Sequence, residues 1–142
     1  MPAPDKNYQV QIVDDLGNAD GNADVIALAS AARTTTQTIN LVNPGARGVI
    51  VTFDITAVPT VETVTLACFG IDPASGKAYA LGAAGAALAT TGTRTYLIYP
   101  AVAANGSFTA VIAANIPRTW RITITHSASG SFTYSVGVQY LI

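Results

Sequence analysis

The chain has 142 residues, half of them hydrophobic and only 11% charged, with a net charge of −1 and a mean hydropathy of +0.40. That length fits one domain and suffices to bury a core without disulfide or metal staples. The balanced charge excludes the strong field of a nucleic-acid or membrane-surface binder, the single cysteine, Cys68, excludes an intrachain disulfide, and the longest low-polarity stretch, residues 78–89, is interrupted by Gly82 and Gly85 and falls far short of the ~20 apolar residues of a membrane span.

The N-terminus, MPAPDKNYQ, has no apolar run of the kind a secretory leader needs, so synthesis in the cytoplasm is expected. Tyr8-Gln9-Val10-Gln11-Ile12 alternates apolar and polar residues, as a strand does. The near-repeat Gly17-Asn18-Ala19-Asp20-Gly21-Asn22-Ala23-Asp24 that follows is a turn-rich loop. Asp24 is placed to cap a short helix through Ala32, and an extended arm fits the same residues equally well. Residues 1–35 therefore form an N-terminal arm distinct from what comes after.

From residue 36 the period is two. Strands are predicted over residues 36–42, ending at the turn Asn43-Pro44-Gly45, then over 49–56 and 63–71. Asp72-Pro73-Ala74-Ser75-Gly76-Lys77 is a strong turn, with Pro to set φ and Gly to permit positive φ, so residues 77–81 complete a hairpin. Residues 82–92, rich in Ala and Gly, form a loop or a close-packed turn of backbone. Further strands follow over 93–99, stopped by Pro100, and over 107–112. In the last two, Trp120, Ile122, Ile124 and His126 alternate with polar residues, as do Phe132, Tyr134, Val136, Val138 and Tyr140. The small-residue turn between them predicts a hairpin. About eight strands separated by turns every ~8–12 residues predict an all-β fold, an antiparallel sandwich over residues 36–142 with jelly-roll or immunoglobulin-like topology. The apolar C-terminus is expected to be tied into a sheet or an interface.

Scarce charge leaves the surface to other residues, and the 18 Thr suit it, since the branched carbon packs on a pleated sheet while the hydroxyl stays polar. Charge keeps proteins apart, and interface cores are depleted of it, so a surface this neutral points to coverage by other subunits, with a low-charge monomer as the alternative. The charge is also uneven. Residues 1–24 hold Asp5, Asp14, Asp15, Asp20 and Asp24 against Lys6, a net −4; residues 25–142 hold six bases and three acids, a net +3. An acidic arm on a mildly basic body suits docking between subunits, and equally suits a solvated tail.

Catalysis needs positioned acids, bases or nucleophiles, and the chain offers few. His126, the only histidine, lacks the orienting partners of a triad and is expected at the surface. Cys68, between Ala67 and Phe69 on a strand, reads as a buried small hydrophobe. The Asn/Asp run 18–24 has oxygen ligands at alternate positions, but setting Gly21 sixth in an EF-hand loop puts Leu16 first and Ala27 last, where carboxylates belong. No cofactor or metal is expected. Arg33, Arg47, Arg94, Arg118 and Arg121 are too scattered for a nucleic-acid stripe. Arg33, Arg47, Arg118 and Arg121 suit interface pairs instead, through the planar guanidinium fork. Trp120 belongs with Ile122 and Ile124 in the core.

Three stretches occur together in a familiar order: Gly45-Ala46-Arg47-Gly48-Val49-Ile50-Val51 running into Asp54-Ile55-Thr56-Ala57-Val58; Gly70-Ile71-Asp72-Pro73-Ala74-Ser75-Gly76-Lys77 with Tyr79; and Ile116-Pro117-Arg118-Thr119-Trp120-Arg121, then Thr125-His126 and Phe132-Thr133-Tyr134-Ser135-Val136-Gly137. Over about residues 30–142 this order resembles small structural proteins encoded with the head genes of tailed bacteriophages, some of them capsid decoration (cement) proteins. The resemblance implies a β-sandwich on the outside of an icosahedral head, often a homotrimer, with the major capsid protein as partner and the virion as location. Within that scheme Tyr8, Val10 and Ile12 are the residues with which the arm would add a strand to a neighbour's sheet. Two other readings are a tail or head–tail connector component and a carbohydrate-binding, adhesin-like sandwich whose sugar platform would draw on Tyr79, Tyr96, Tyr99, Trp120 and Tyr140.

Overall fold

The structure is a computed structural model, and it describes residues 23–142; Tyr8, Val10, Ile12 and most of the Asn/Asp run lie outside the described residues. The described chain contains nine strands and no helix: β1 (Ala23–Arg33), β2 (Gln37–Val42), β3 (Gly48–Ala57), β4 (Val64–Ile71), β5 (Ala78–Ala80), β6 (Gly92–Ile98), β7 (Ala110–Ile112), β8 (Thr119–His126) and β9 (Phe132–Leu141). Two sheets form, one ordered β1-β9-β3-β6-β7 and the other β2-β8-β4-β5.

The pairing is organised around a single turn. At residues 72–77 the Asp72 carboxylate accepts from the Ser75 backbone at 2.9 Å, Gly76 N–H donates to Asp72 O at 2.8 Å, and Gly76 takes φ +74°, where a side chain would be strained. On either side of this turn the chain pairs with itself as one long antiparallel ribbon: β4 with β5, β3 with β6, β2 with β8 and β1 with β9. The ribbon then rolls, bringing β9 against β3 and β8 against β4. With β7 set aside this is the jelly roll, and it decides between the two topologies that the strand pattern leaves open.

Rolling is what lets the alternating pattern bury one face of every strand. Val49, Val51, Phe53 and Ile55 of β3 and Phe132, Tyr134, Val136, Val138 and Tyr140 of β9 line one wall of the core. Val64, Leu66 and Cys68 of β4 and Trp120, Ile122 and Ile124 of β8 line the other. Burying each large apolar side chain contributes about 1.5–3 kcal/mol. The walls are also laced together by hydrogen bonds. Trp120 Nε1 donates to Tyr140 Oη at 3.1 Å, the rings meet edge to face at 6.2 Å, and Tyr140 Oη donates onward to Val42 O at 3.2 Å.

Three expectations need correction. Residues 24–32 are strand, not helix: β1 lies inside the stretch assigned to the arm, yet it pairs along β9, and that long-range pairing outweighs the helix preference of its alanines. Its register slips between Ile26 and Leu28 and again between Leu28 and Ala31. Second, β8 and β9 are not a hairpin. They stand in opposite sheets, and the residues between them cross the sandwich, with Ser127 N donating to Thr63 O at 3.0 Å and Thr63 N donating to Ser127 Oγ at 2.9 Å. A hairpin would put both apolar faces on one sheet; the arch puts them on facing walls. Third, β7 runs parallel to β6, as an added edge strand reached by a crossover from Ile98, in an otherwise antiparallel fold.

Tyr140→Phe leaves the Trp120 N–H without its acceptor in the core, so it is expected to destabilise the fold by about 1–3 kcal/mol, measured by urea unfolding.

Candidate interface at one end of the sandwich

The turn Asn43-Pro44-Gly45, legible as punctuation in the sequence, becomes the hub of one end of the molecule. Asn43 is the one buried polar residue among the described residues, 6% exposed. Its Nδ2 donates to Ala46 O at 3.0 Å and Ile116 O at 3.1 Å, its Oδ1 accepts from Gly45 N at 3.1 Å and Ala46 N at 2.7 Å, and its own N–H donates to Arg118 O at 2.7 Å. One side chain thus locks the loop leading into β3 to the loop leading into β8. A third chain joins them, since Arg47 N–H donates to Leu141 O at 2.9 Å.

This clamp places Arg47 and Arg118 at the same end of the sandwich, in sequence-distant loops, both exposed. The Arg47 guanidinium lies 5.8 Å from the centre of the Tyr99 ring, a cation–π distance. Tyr99 in turn covers Gly48 so closely that a β-carbon there would strike the ring. Arg121, one residue past Trp120 on the outward face of β8, is held by its Nε donating to Asn40 Oδ1 at 2.9 Å. Lys77 belongs to the same end, because Ile71 pairs with Ala78 and Gly70 with Trp120. Val42, 60% exposed, and Ile142, 56% exposed, add apolar surface here. Ala23 pairs with Tyr140, so the chain also enters the sandwich at this end.

Arg33 is placed differently. It sits at the far end, donating to Ala31 O at 3.1 Å, Tyr134 O at 2.7 Å and Ala29 O at 2.7 Å, with its guanidinium 4.9 Å from the Tyr134 ring centre. It satisfies carbonyls in the irregular part of β1 and is a staple of the fold. The structure therefore brings Arg47, Arg118 and Arg121 together and separates Arg33 from them. Sequence reasoning missed Val42, saw Asn43 only as part of a turn and Tyr99 only as part of a sugar platform, and expected the apolar C-terminus, where Ile142 lies, to be tied into a sheet or an interface.

The groups with potential chemistry lie elsewhere. Burial pushes the Cys68 thiol up to about 12, so it stays protonated and a poor nucleophile. An apolar cavity of about 300 Å³ adjoins it, lined by Leu66, Cys68, Gly82, Gly85, Tyr96 and Ile112. The 82–92 segment is the loop alternative, largely exposed and pinned along β4 by Gly85 N–H donating to Leu66 O at 2.8 Å and by Leu88 pairing with Val64. His126 is not a free surface imidazole. Its Nε2 shares a 3.0 Å hydrogen bond with Tyr134 Oη, its ring meets Phe132 edge to face at 5.4 Å, and its Nδ1 is buried without a partner. Burial, helped by the Arg33 cation and opposed by the Gly130 backbone, holds its pKa below the ordinary 6.5. Among the described residues no three of His, Cys, Asp and Glu gather as a metal site would require. Of the aromatics that a sugar platform would use, Tyr96, Trp120 and Tyr140 are buried in the core. No helix of the described residues is long and apolar enough to cross a membrane. No protein-family model and no curated protein matches the chain.

Asn43→Ala strands several buried backbone groups at about 1–3 kcal/mol each, so a loss of about 3 kcal/mol or more is expected in urea unfolding. His126 generates a pH dependence. Its folded pKa lies below its unfolded one, so the unfolded chain takes the proton first and stability falls as pH drops through 6.5. The melting temperature is expected to decline between about pH 7.5 and 5.5, and His126→Gln is expected to flatten that decline.

Proposed function

We propose that this chain is a non-enzymatic structural protein of a tailed-phage virion, and within that class a decoration protein that binds the outside of the assembled head through its major capsid protein. The observation that carries the reading is the surface. On the four central strands the outward positions are Ile50, Thr52, Asp54 and Thr56; Thr65, Ala67, Phe69 and Ile71; Thr119, Arg121, Thr123 and Thr125; and Thr133, Ser135, Gly137, Gln139 and Leu141. Only Asp54 and Arg121 among them are charged, and both are already bonded, Asp54 to Thr93 Oγ1 at 2.8 Å and Arg121 to Asn40. Such faces lose little on desolvation when another protein covers them.

The jelly roll serves many purposes, so the fold alone assigns no activity. Its support here is mechanical: a rigid two-walled body presents a fixed end, with Asn43 holding the Arg47 and Arg118 loops in register. A protein that binds the assembled shell better than loose subunits stabilises the shell by mass action, with no chemistry required. The resemblance of residues 30–142 to head-gene products is the reason for proposing a phage head as that shell.

The test is addition of the purified protein to undecorated heads of the phage that encodes it. Saturable co-sedimentation and a rise in the head's melting temperature with protein concentration are the expected results. A cryo-EM map of the mature virion with no density for this chain on the head would reject the assignment, and density in the connector or tail would move it there.

A further inference from the structure

The two halves of the described molecule differ in charge. At the end organised by Asn43 stand Arg47, Lys77, Arg118 and Arg121 against Asp24 and Asp72, four positive side chains and two negative, a net +2. Asp72 is occupied by Ser75, whose hydrogen bonds hold its carboxyl below the usual carboxylate range. The other half carries Arg33 and Arg94 against Asp54 and Glu62, a net of zero. Residues 1–22 carry Asp5, Asp14, Asp15 and Asp20 against Lys6, four negative side chains and one positive, a net −3. The most acidic segment of the chain thus joins the body at its most basic end.

We infer that this end is the receiving surface for residues 1–22 of a second copy of the chain. The strand direction favours a neighbour over the chain's own body. β1 begins at Ala23 opposite Tyr140, close to the end of β9, so its line prolonged backward leads out past the end of the sandwich. Twenty-two residues span at most about 75 Å when extended, ample to reach an adjacent molecule. The surface also matches the segment in kind. Exposed Val42 and Ile142 offer apolar contact to the alternating Tyr8, Val10 and Ile12, while Arg47 and Arg118 offer charge to Asp14, Asp15 and Asp20. Because the segment joins the body at the same end that receives it, two copies can exchange segments reciprocally in an isologous pair, and a one-way exchange closes into a ring when the rotation permits. The inference concerns association of the chain with itself and holds whether or not a phage head is the final partner.

Light scattering behind size exclusion on the full chain tests it. At about 0.05 M salt an oligomer is expected, dissociating at least tenfold more readily at about 0.5 M, where the Debye length is roughly halved or less. Arg47→Glu with Arg118→Glu is expected to weaken association at least tenfold, and so is Asp14→Lys with Asp15→Lys and Asp20→Lys. Combining the two sets restores complementary charge and is expected to restore the oligomer. Circular dichroism confirms that each variant keeps its sheet content. A monomer at every salt concentration overturns the inference, as does an oligomer that survives either reversal or a combined variant that stays monomeric. Since no head is present, failure here leaves the head-binding test standing, and failure there leaves this one standing.

Discussion

Nearly everything in this molecule depends on backbone pairing measured outward from one turn. Asp72, Ser75 and Gly76 close the ribbon, and each strand then meets the strand at a matching distance on the other side, out to β1 and β9. The first and last strands of the described chain are partners, so the fold is complete only when the whole ribbon has paired. Such non-local pairing postpones the reward for closing loops and makes folding slow relative to helical domains of the same size.

Rolling the ribbon fixes what each end can display. The Asn43 end gathers the loops before β3 and before β8 with the end of β9, three segments far apart in sequence. A buried amide with both its donors and its acceptor occupied makes their geometry specific, because any rearrangement would leave polar groups without partners in the core. The opposite end spends its arginine and histidine on itself: Arg33 ties down the irregular stretch of β1, and His126 packs under the β8–β9 arch against Phe132 and Tyr134. One end is thus internally satisfied and the other presents charge and apolar surface outward. That asymmetry is what the proposed docking role would use.

The central outward positions carry threonine, alanine and serine where most soluble domains carry lysine and glutamate. Threonine holds strand conformation, and its hydroxyl can bond either water or a backbone group. Few charges on these faces would need desolvating, so the proposed contacts would draw on shape and on the handful of cations at one end.

Strand positions and the inward face of each were legible from the sequence, because the pleat sets a period of two that every residue obeys locally: Val49 to Ile55, Trp120 to Ile124 and Phe132 to Tyr140 all face the core as their alternation requires. The 72–77 turn was legible for the same reason, its chemistry being contained in six consecutive residues. Three matters were decided only by tertiary structure. Alternation does not say which wall a strand joins, so the arch between β8 and β9 looked like a hairpin. Propensity does not know of β9, so β1 looked like a helix or an extended arm. Spacing along the chain does not measure distance across it, so Arg33 looked equivalent to Arg47 and Arg118 until pairing sent it to the other end. Each of these depends on contacts between residues remote in sequence, and such contacts are chosen by the free energy of the closed sandwich as a whole.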